Sequence, residues 1–259
     1  MRVEKNKEML LGKEFQTLTS GKCIVIDYKG TYDVTVEFSS PHFIRTTTLS
    51  RLKAGKVKNL MFPSVYGKGF IGVGDFSNKG GDRKLYLLWK GMLGRCYGYK
   101  VEATRRAYKD VEVCDEWLNF QNFAKWCVDQ KFYGKKDENG KVYQLDKDIL
   151  VKGNKVYSPE TCCFVPAEIN HTLLFSKNSR GNLPLGVSLV KTTGKYRADI
   201  SRRRIVDRVL GYFETPEEAF SVYKASREDY IKFMANLWKD RIDDKVYQAL
   251  MNYEVHIDD

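Results

Sequence analysis

The chain lacks any apolar run near the about 20 residues that cross a bilayer, so a membrane-spanning class is not expected. Its opening residues, MRVEKNKEMLLGKEF, have no apolar core of signal-peptide length. The six cysteines (Cys23, Cys96, Cys114, Cys127, Cys162 and Cys163) follow no regular framework and include no C-x-x-C pair. Without a secretion signal, reduced thiols and a cytoplasmic setting are the expectation, and buried thiols are favoured over a zinc site. The glycines of VYGKGFIGVGDF do not follow a strand and open a helix, which argues against a dinucleotide-binding turn.

What the chain does have is positive charge. Its 259 residues carry a net +11, with a pI of about 9.2. The excess is uneven. Residues 175–211 hold nine Lys/Arg against two Asp/Glu, and residues 1–80 hold thirteen against seven. Residues 212–259 reverse the sign, with six against eleven. A concentrated cationic segment points to a polyanion, DNA or RNA, as partner, and says nothing of fold.

Hydrophobic periodicity divides the chain into three regions and gives an α+β fold class. Residues 1–76 read as a small β-barrel-like domain, with strands at KCIVIDY, YDVTVEF and HFIRTTTL followed by glycine-marked turns. Residues 84–175 read as a helical region ending in a ββα unit. Tyr86, Trp89, Met92, Leu93 and Cys96 share one helix face. Asp115 is the expected N-cap of a second helix carrying Trp117, Phe120, Phe123 and Cys127. KVYQLDKDIL and NKVYSPETCCFVP are expected to form a hairpin around Gly153-Asn154, with AEINHTLLF as a short helix.

Residues 181–259 read as three short strands, PLGVSLV, KYRADIS and RVLGYF, packed on a helix, with further helix after it. Thr215, Pro216 and Glu218 mark the helix start as N-cap, first helical residue and capping box. Alternation puts Tyr196, Ala198 and Ile200 toward the helix and Lys195, Arg197 and Asp199 on the opposite, exposed face, beside Ser188, Lys191 and the run Arg202, Arg203, Arg204.

This last unit resembles the Apetala/ethylene-response-factor DNA-binding domain. The matching residues are Gly186-Val187, Gly194-Lys195-Tyr196, Leu210-Gly211-Phe213, Thr215-Glu217-Glu218-Ala219 and Tyr223. The resemblance implies a sheet lying in the DNA major groove, with Ser188, Lys191, Lys195 and Arg197 as contacts. Arg202, Arg203 and Arg204 are expected as phosphate contacts from their charge alone.

Residues 145–171 are similar to an HNH endonuclease, and the order of regions looks like a phage protein family related to HNH homing endonucleases. The positions that correspond are Asp146-Lys147, Asn154, and Asn170 or His171. The likeness implies that Asp146 and Asn170 hold Mg²⁺ or another divalent metal and that Asn154 braces the hairpin. Lys147 stands where that family has the histidine that takes a proton from water. A lysine is a poor base unless burial lowers its pKa. His171 is the other candidate. Three readings follow: a double-stranded DNA-binding protein on a disabled nuclease scaffold, an active metal-dependent endonuclease, or a phage effector binding RNA, the ribosome or a host protein.

Overall fold

The computed structural model describes residues 2–98, 110–173, 183–200 and 208–257. It is a mixed α+β protein in two compact units. One comprises Met1–Asp129 with Val156–Ser158, and the other Gln130–Lys155 with Pro159–Asp259. Among the described residues no helix is long and apolar enough to cross a membrane.

The first unit begins with helix α1 (Arg2–Leu10) and strands β1 (Glu14–Gln16), β2 (Lys22–Gly30), β3 (Asp33–Ser39) and β4 (His42–Thr47). Helix α2 (Leu49–Lys53) follows. The strands form an antiparallel sheet in chain order. Alternation sends Cys23 and Val25 of β2, and Val34, Val36 and Phe38 of β3, to one face. A register shift between Val25 and Asp27 adds a residue, so Tyr28 also turns inward. Leu10, Leu52 and Val57 complete this core. The expected barrel does not form. The apolar face is covered by α1 and the α2 segment, and β1 and β4 remain the sheet's two edges.

The rest of this unit is an aromatic core on helices. Helix α3 (Arg83–Tyr97) contributes Trp89, Met92 and Leu93. Strand β5 (Glu112–Val113) leads to α4 (Asp115–Leu118) and α5 (Phe120–Asp129), which bury Trp117, Phe120, Phe123 and Cys127. Trp89 Nε1 donates to the Trp117 carbonyl at 2.7 Å. The helix expected from Asp115 onward is broken at Asn119, and its N-cap position is Cys114. The break has a cause outside the helix. The Phe70 amide donates to the Leu118 carbonyl, and the Phe70 carbonyl accepts from the Phe120 amide, so the glycine-rich segment is hydrogen-bonded into the gap. Its glycines permit close approach as well as turns. A Cβ on Gly74 would lie 2.4 Å from Gln121 Oε1. The buried Gln121 amide itself donates to the Ile71 and Phe76 carbonyls.

The second unit holds β6 (Gln144–Asp146), which does not pair as expected. The Gly153-Asn154 turn is present, yet β7 (Val156–Tyr157) belongs to the first unit and runs parallel to β5. The partner of β6 is β8 (Cys163–Val165), with Asp146 opposite Cys163 and Gln144 opposite Val165. Helix α6 (Ala167–Thr172) completes a ββα arrangement. Strands β9 (Val187–Leu189), β10 (Tyr196–Asp199) and β11 (Val209–Phe213) form an antiparallel sheet with β10 in the centre. It is covered by α7 (Pro216–Trp238), on which α8 (Asp244–Met251) packs.

The start of α7 is fixed locally. Thr215 Oγ1 accepts from the Glu218 amide at 3.2 Å, and the Thr215 amide donates back to Glu218 Oε2 at 3.3 Å. One continuous core joins both halves of the unit. It contains Ile149, Cys163, Val165 and Ile169 of the ββα part, Val187, Ala198 and Ile200 of the sheet, and Tyr223, Ile231 and Trp238 of α7. The site described next is therefore set on a packed body.

Candidate nucleic-acid face and the ββα loop

The central strand β10 is two-sided. Ala198 and Ile200 are buried and Tyr196 is packed against the same core, while Arg197 keeps its side chain 40% exposed. Arg197 is paired with Ser188 on β9 and with Tyr212 on β11. Directly paired residues share a face, so Ser188, Arg197 and Tyr212 form a row across all three strands. Lys195, exposed, immediately precedes β10, two residues before Arg197. Lys191 lies exposed in the turn between β9 and β10. Arg202, Arg203 and Arg204 lie outside the described residues.

Glycine sets the distance between sheet and helix. Gly186 has φ +72°, and a Cβ there would come within 2.1 Å of the Tyr223 ring. The two positions are one packing contact seen from both sides. A larger residue at 186 would lift the strand from α7 and tilt the outer face.

The cations of the face are already engaged within the chain. Arg197 Nε donates to Asp199 Oδ2 at 2.8 Å, and the Ser188 hydroxyl lies 3.3 Å from the same oxygen. Lys195 Nζ pairs with Glu214 Oε1 at 2.6 Å. The Asp199 carboxylate raises the Arg197 pKa further. Exposed pairs of this kind contribute little to stability and exchange partners readily. They hold the side chains extended over the sheet. Asp199 engages Nε, the Tyr212 side chain also hydrogen-bonds Arg197, and a guanidinium fork is the shape that fits a phosphate or a guanine edge.

The ββα loop has a different character. Lys147 is buried at 6% exposure. Its Nζ donates to the Asn154 carbonyl at 2.8 Å and pairs closely with the Asp148 carboxylate. Asn154 Nδ2 returns a bond to the Lys147 carbonyl at 2.8 Å. The two residues thus clasp the loop between β6 and the Gly153 turn. Asp146 Oδ1 accepts the amides of Asp148 at 2.7 Å and Ile149 at 2.8 Å, which makes it the cap of a tight turn. Burial pushes the Asp146 pKa up, and those two amides oppose the shift.

The pair implied by the HNH likeness would offer an ion Asp146 Oδ2 and Asn170 Oδ1, the oxygens not used in the bonds that follow. Asn170 Nδ2 is bonded to Gln144 Oε1 at 2.9 Å, and one Asp146 oxygen serves the turn. His171 is exposed on α6. Among the described residues no group of three or more His, Cys, Asp and Glu could hold an ion. The structure does bring Asp146, Lys147 and Asn154 into one loop, with Asn170 beside the same strand.

Tyr212 is the member of the sheet face that the sequence reading missed. Its signal was the alternation around Leu210, Gly211 and Phe213, which leaves residue 212 pointing outward. No family model, no curated protein and no solved structure matches this chain.

Proposed function

We propose that this protein binds double-stranded DNA through the outer face of the β9–β10–β11 sheet, on a ββα scaffold of HNH type in which Lys147 holds the usual general-base position. The observation that carries the reading is the cross-strand row of Ser188, Arg197 and Tyr212 on a sheet whose opposite face is buried on α7. A rigid sheet presents such a row at fixed spacing, as groove reading by strands requires. On binding, DNA phosphates replace Asp199 and Glu214 as partners of Arg197 and Lys195. The side chains are already extended, which lowers the ordering cost. The ββα loop supports the face from beneath through the shared core.

Two experiments test this. Duplex affinity should fall in Lys195→Ala/Arg197→Ala, with the salt slope reduced by about 0.9 for each phosphate no longer neutralised. Supercoiled plasmid should stay intact in Mg²⁺ or Mn²⁺ under conditions where the protein still shifts it on a gel. Metal-dependent nicking abolished by Asp146→Ala would make the loop a working nuclease site instead.

A further inference from the structure

The six cations between Glu37 and Asp75 have no acid among them: residues 38–74 contain Arg45, Arg51, Lys53, Lys56, Lys58 and Lys68, and no Asp or Glu. Five of these are brought together by the fold. Arg51 and Lys53 flank the buried Leu52 of α2, and Lys56 and Lys58 flank the buried Val57 of the following loop. The loop doubles back on the helix, with the Lys56 amide donating to the Arg51 carbonyl at 2.9 Å. Arg45 on β4 ties in from the sheet, its Nη1 donating to the Lys58 carbonyl at 2.8 Å.

None of these five side chains forms an ion pair among the described residues, unlike Lys195 and Arg197. Arg45 Nε is buried with no hydrogen-bond partner among the described residues. Burial, and then the nearby Arg51, push the Arg45 pKa down from its ordinary value. Like charges gathered without a counter-charge repel one another, and that cost is relieved when an external anion arrives. Tyr32, 86% exposed, lies on the neighbouring β2–β3 turn, which is tied to α2 by the Leu49 amide donating to the Thr31 carbonyl at 2.8 Å.

We propose that Arg51, Lys53, Lys56 and Lys58, organised around Arg45, form a second, sequence-independent DNA contact that grips the phosphate backbone of the duplex. This rests on the reading of the chain as a duplex binder, and it uses residues of the other unit. The chemistry specifies a row of phosphates. The cations are exposed and anchored at the base, and the patch offers one exposed ring, Tyr32, rather than a series. Single-strand platforms stack successive bases on several rings, so the patch suits a duplex. Its role is to hold the phosphate backbone without regard to base sequence.

The test is a salt titration of full-length protein on a labelled duplex. It compares wild type, Arg51→Ala/Lys53→Ala/Lys56→Ala, and a control, Lys84→Ala/Lys90→Ala/Lys125→Ala, of equal net charge. All six side chains are exposed, and thermal melting checks that each variant folds. The patch variant should lose roughly 10²-fold in affinity at 0.1 M salt, with a slope lower by about 2 to 3. The control should remain near wild type. An unchanged slope in the patch variant, or an equal loss in the control, overturns the proposal. So does a loss confined to single-stranded RNA or DNA. If Lys195→Ala/Arg197→Ala binds normally while the patch variant fails, the sheet reading falls and the patch stands. If wild type binds no duplex at 50 mM salt, both fall.

Discussion

Replacing Lys147 by methionine separates a clasp from a catalytic group. Methionine preserves most of the aliphatic packing of the buried side chain and removes the ammonium. The substitution deletes the bonds to the Asn154 carbonyl and to Asp148. The Asp148 side chain is 53% exposed, so water re-solvates it at little cost. The Asn154 carbonyl lies within the loop, and leaving it without its charged donor costs about 1–3 kcal/mol. We therefore expect a loss of about 2 kcal/mol, which lowers the melting midpoint by about 4–8 °C for a chain of this size class. Circular dichroism melts measure it. Asn154→Ala removes the returning bond, and the double variant should lose less than the sum of the singles, with a coupling of about 0.5–1 kcal/mol. Wild-type melting in Lys147→Met, or strict additivity with Asn154→Ala, would refute the clasp.

Asp146→Asn keeps the Oδ1 acceptor of the turn and removes an ionisation that burial disfavours. Because the native pKa is raised, the folded state holds the Asp146 proton more tightly than the unfolded chain. The wild-type stability relative to Asp146→Asn should thus fall as pH rises from the ordinary carboxyl range through the raised native value, as denaturant titrations at stepped pH would measure. A rise with pH would contradict the stated environment. Gly186→Ala places a methyl against the Tyr223 ring at positive φ and should cost about 2–4 kcal/mol, with duplex affinity falling in step; Tyr223→Ala in the same background should recover part of the stability. Native protein treated with a thiol reagent should react first at the half-buried Cys96 and Cys114, with Cys23, Cys127, Cys162 and Cys163 modified only on unfolding. Burial pushes the Cys23 and Cys163 pKa values up.

Features that depend on nearest neighbours were legible from the residues. The Thr215–Glu218 capping box needs four residues and formed as read. The two sides of β10 follow from strand geometry, and Ala198 and Ile200 are indeed buried while Arg197 is half-exposed. Long-range choices were not legible. Asp146 and Tyr157 both sit in strand-like stretches around a glycine turn, yet β6 takes β8 and β7 takes β5. Strand patterns alone do not choose among extended partners, and in the pairing that forms Cys163 and Val165 are buried. The break at Asn119 is equally distant in origin, since the Phe70 backbone supplies the competing bonds. The open N-terminal sheet depends on α1 and α2 covering a face that strand patterns alone could have closed upon itself.

The engagement of charged residues was the least legible of all. Nothing in LDKDIL shows whether Lys147 is buried, and the fold turns it inward to the Asn154 carbonyl. Lys195 and Arg197 read as solvated cations, and the fold supplies Glu214 and Asp199. These pairings distinguish a poised sheet face from the cation cluster at α2.

The most direct measurement of the central claim is the affinity of wild type and Lys195→Ala/Arg197→Ala for one duplex, by fluorescence anisotropy, from 50 to 300 mM salt. The account predicts that the variant binds at least tenfold more weakly at 100 mM, with its salt slope lower by up to about 1.8. Identical affinities and slopes across the range would contradict it.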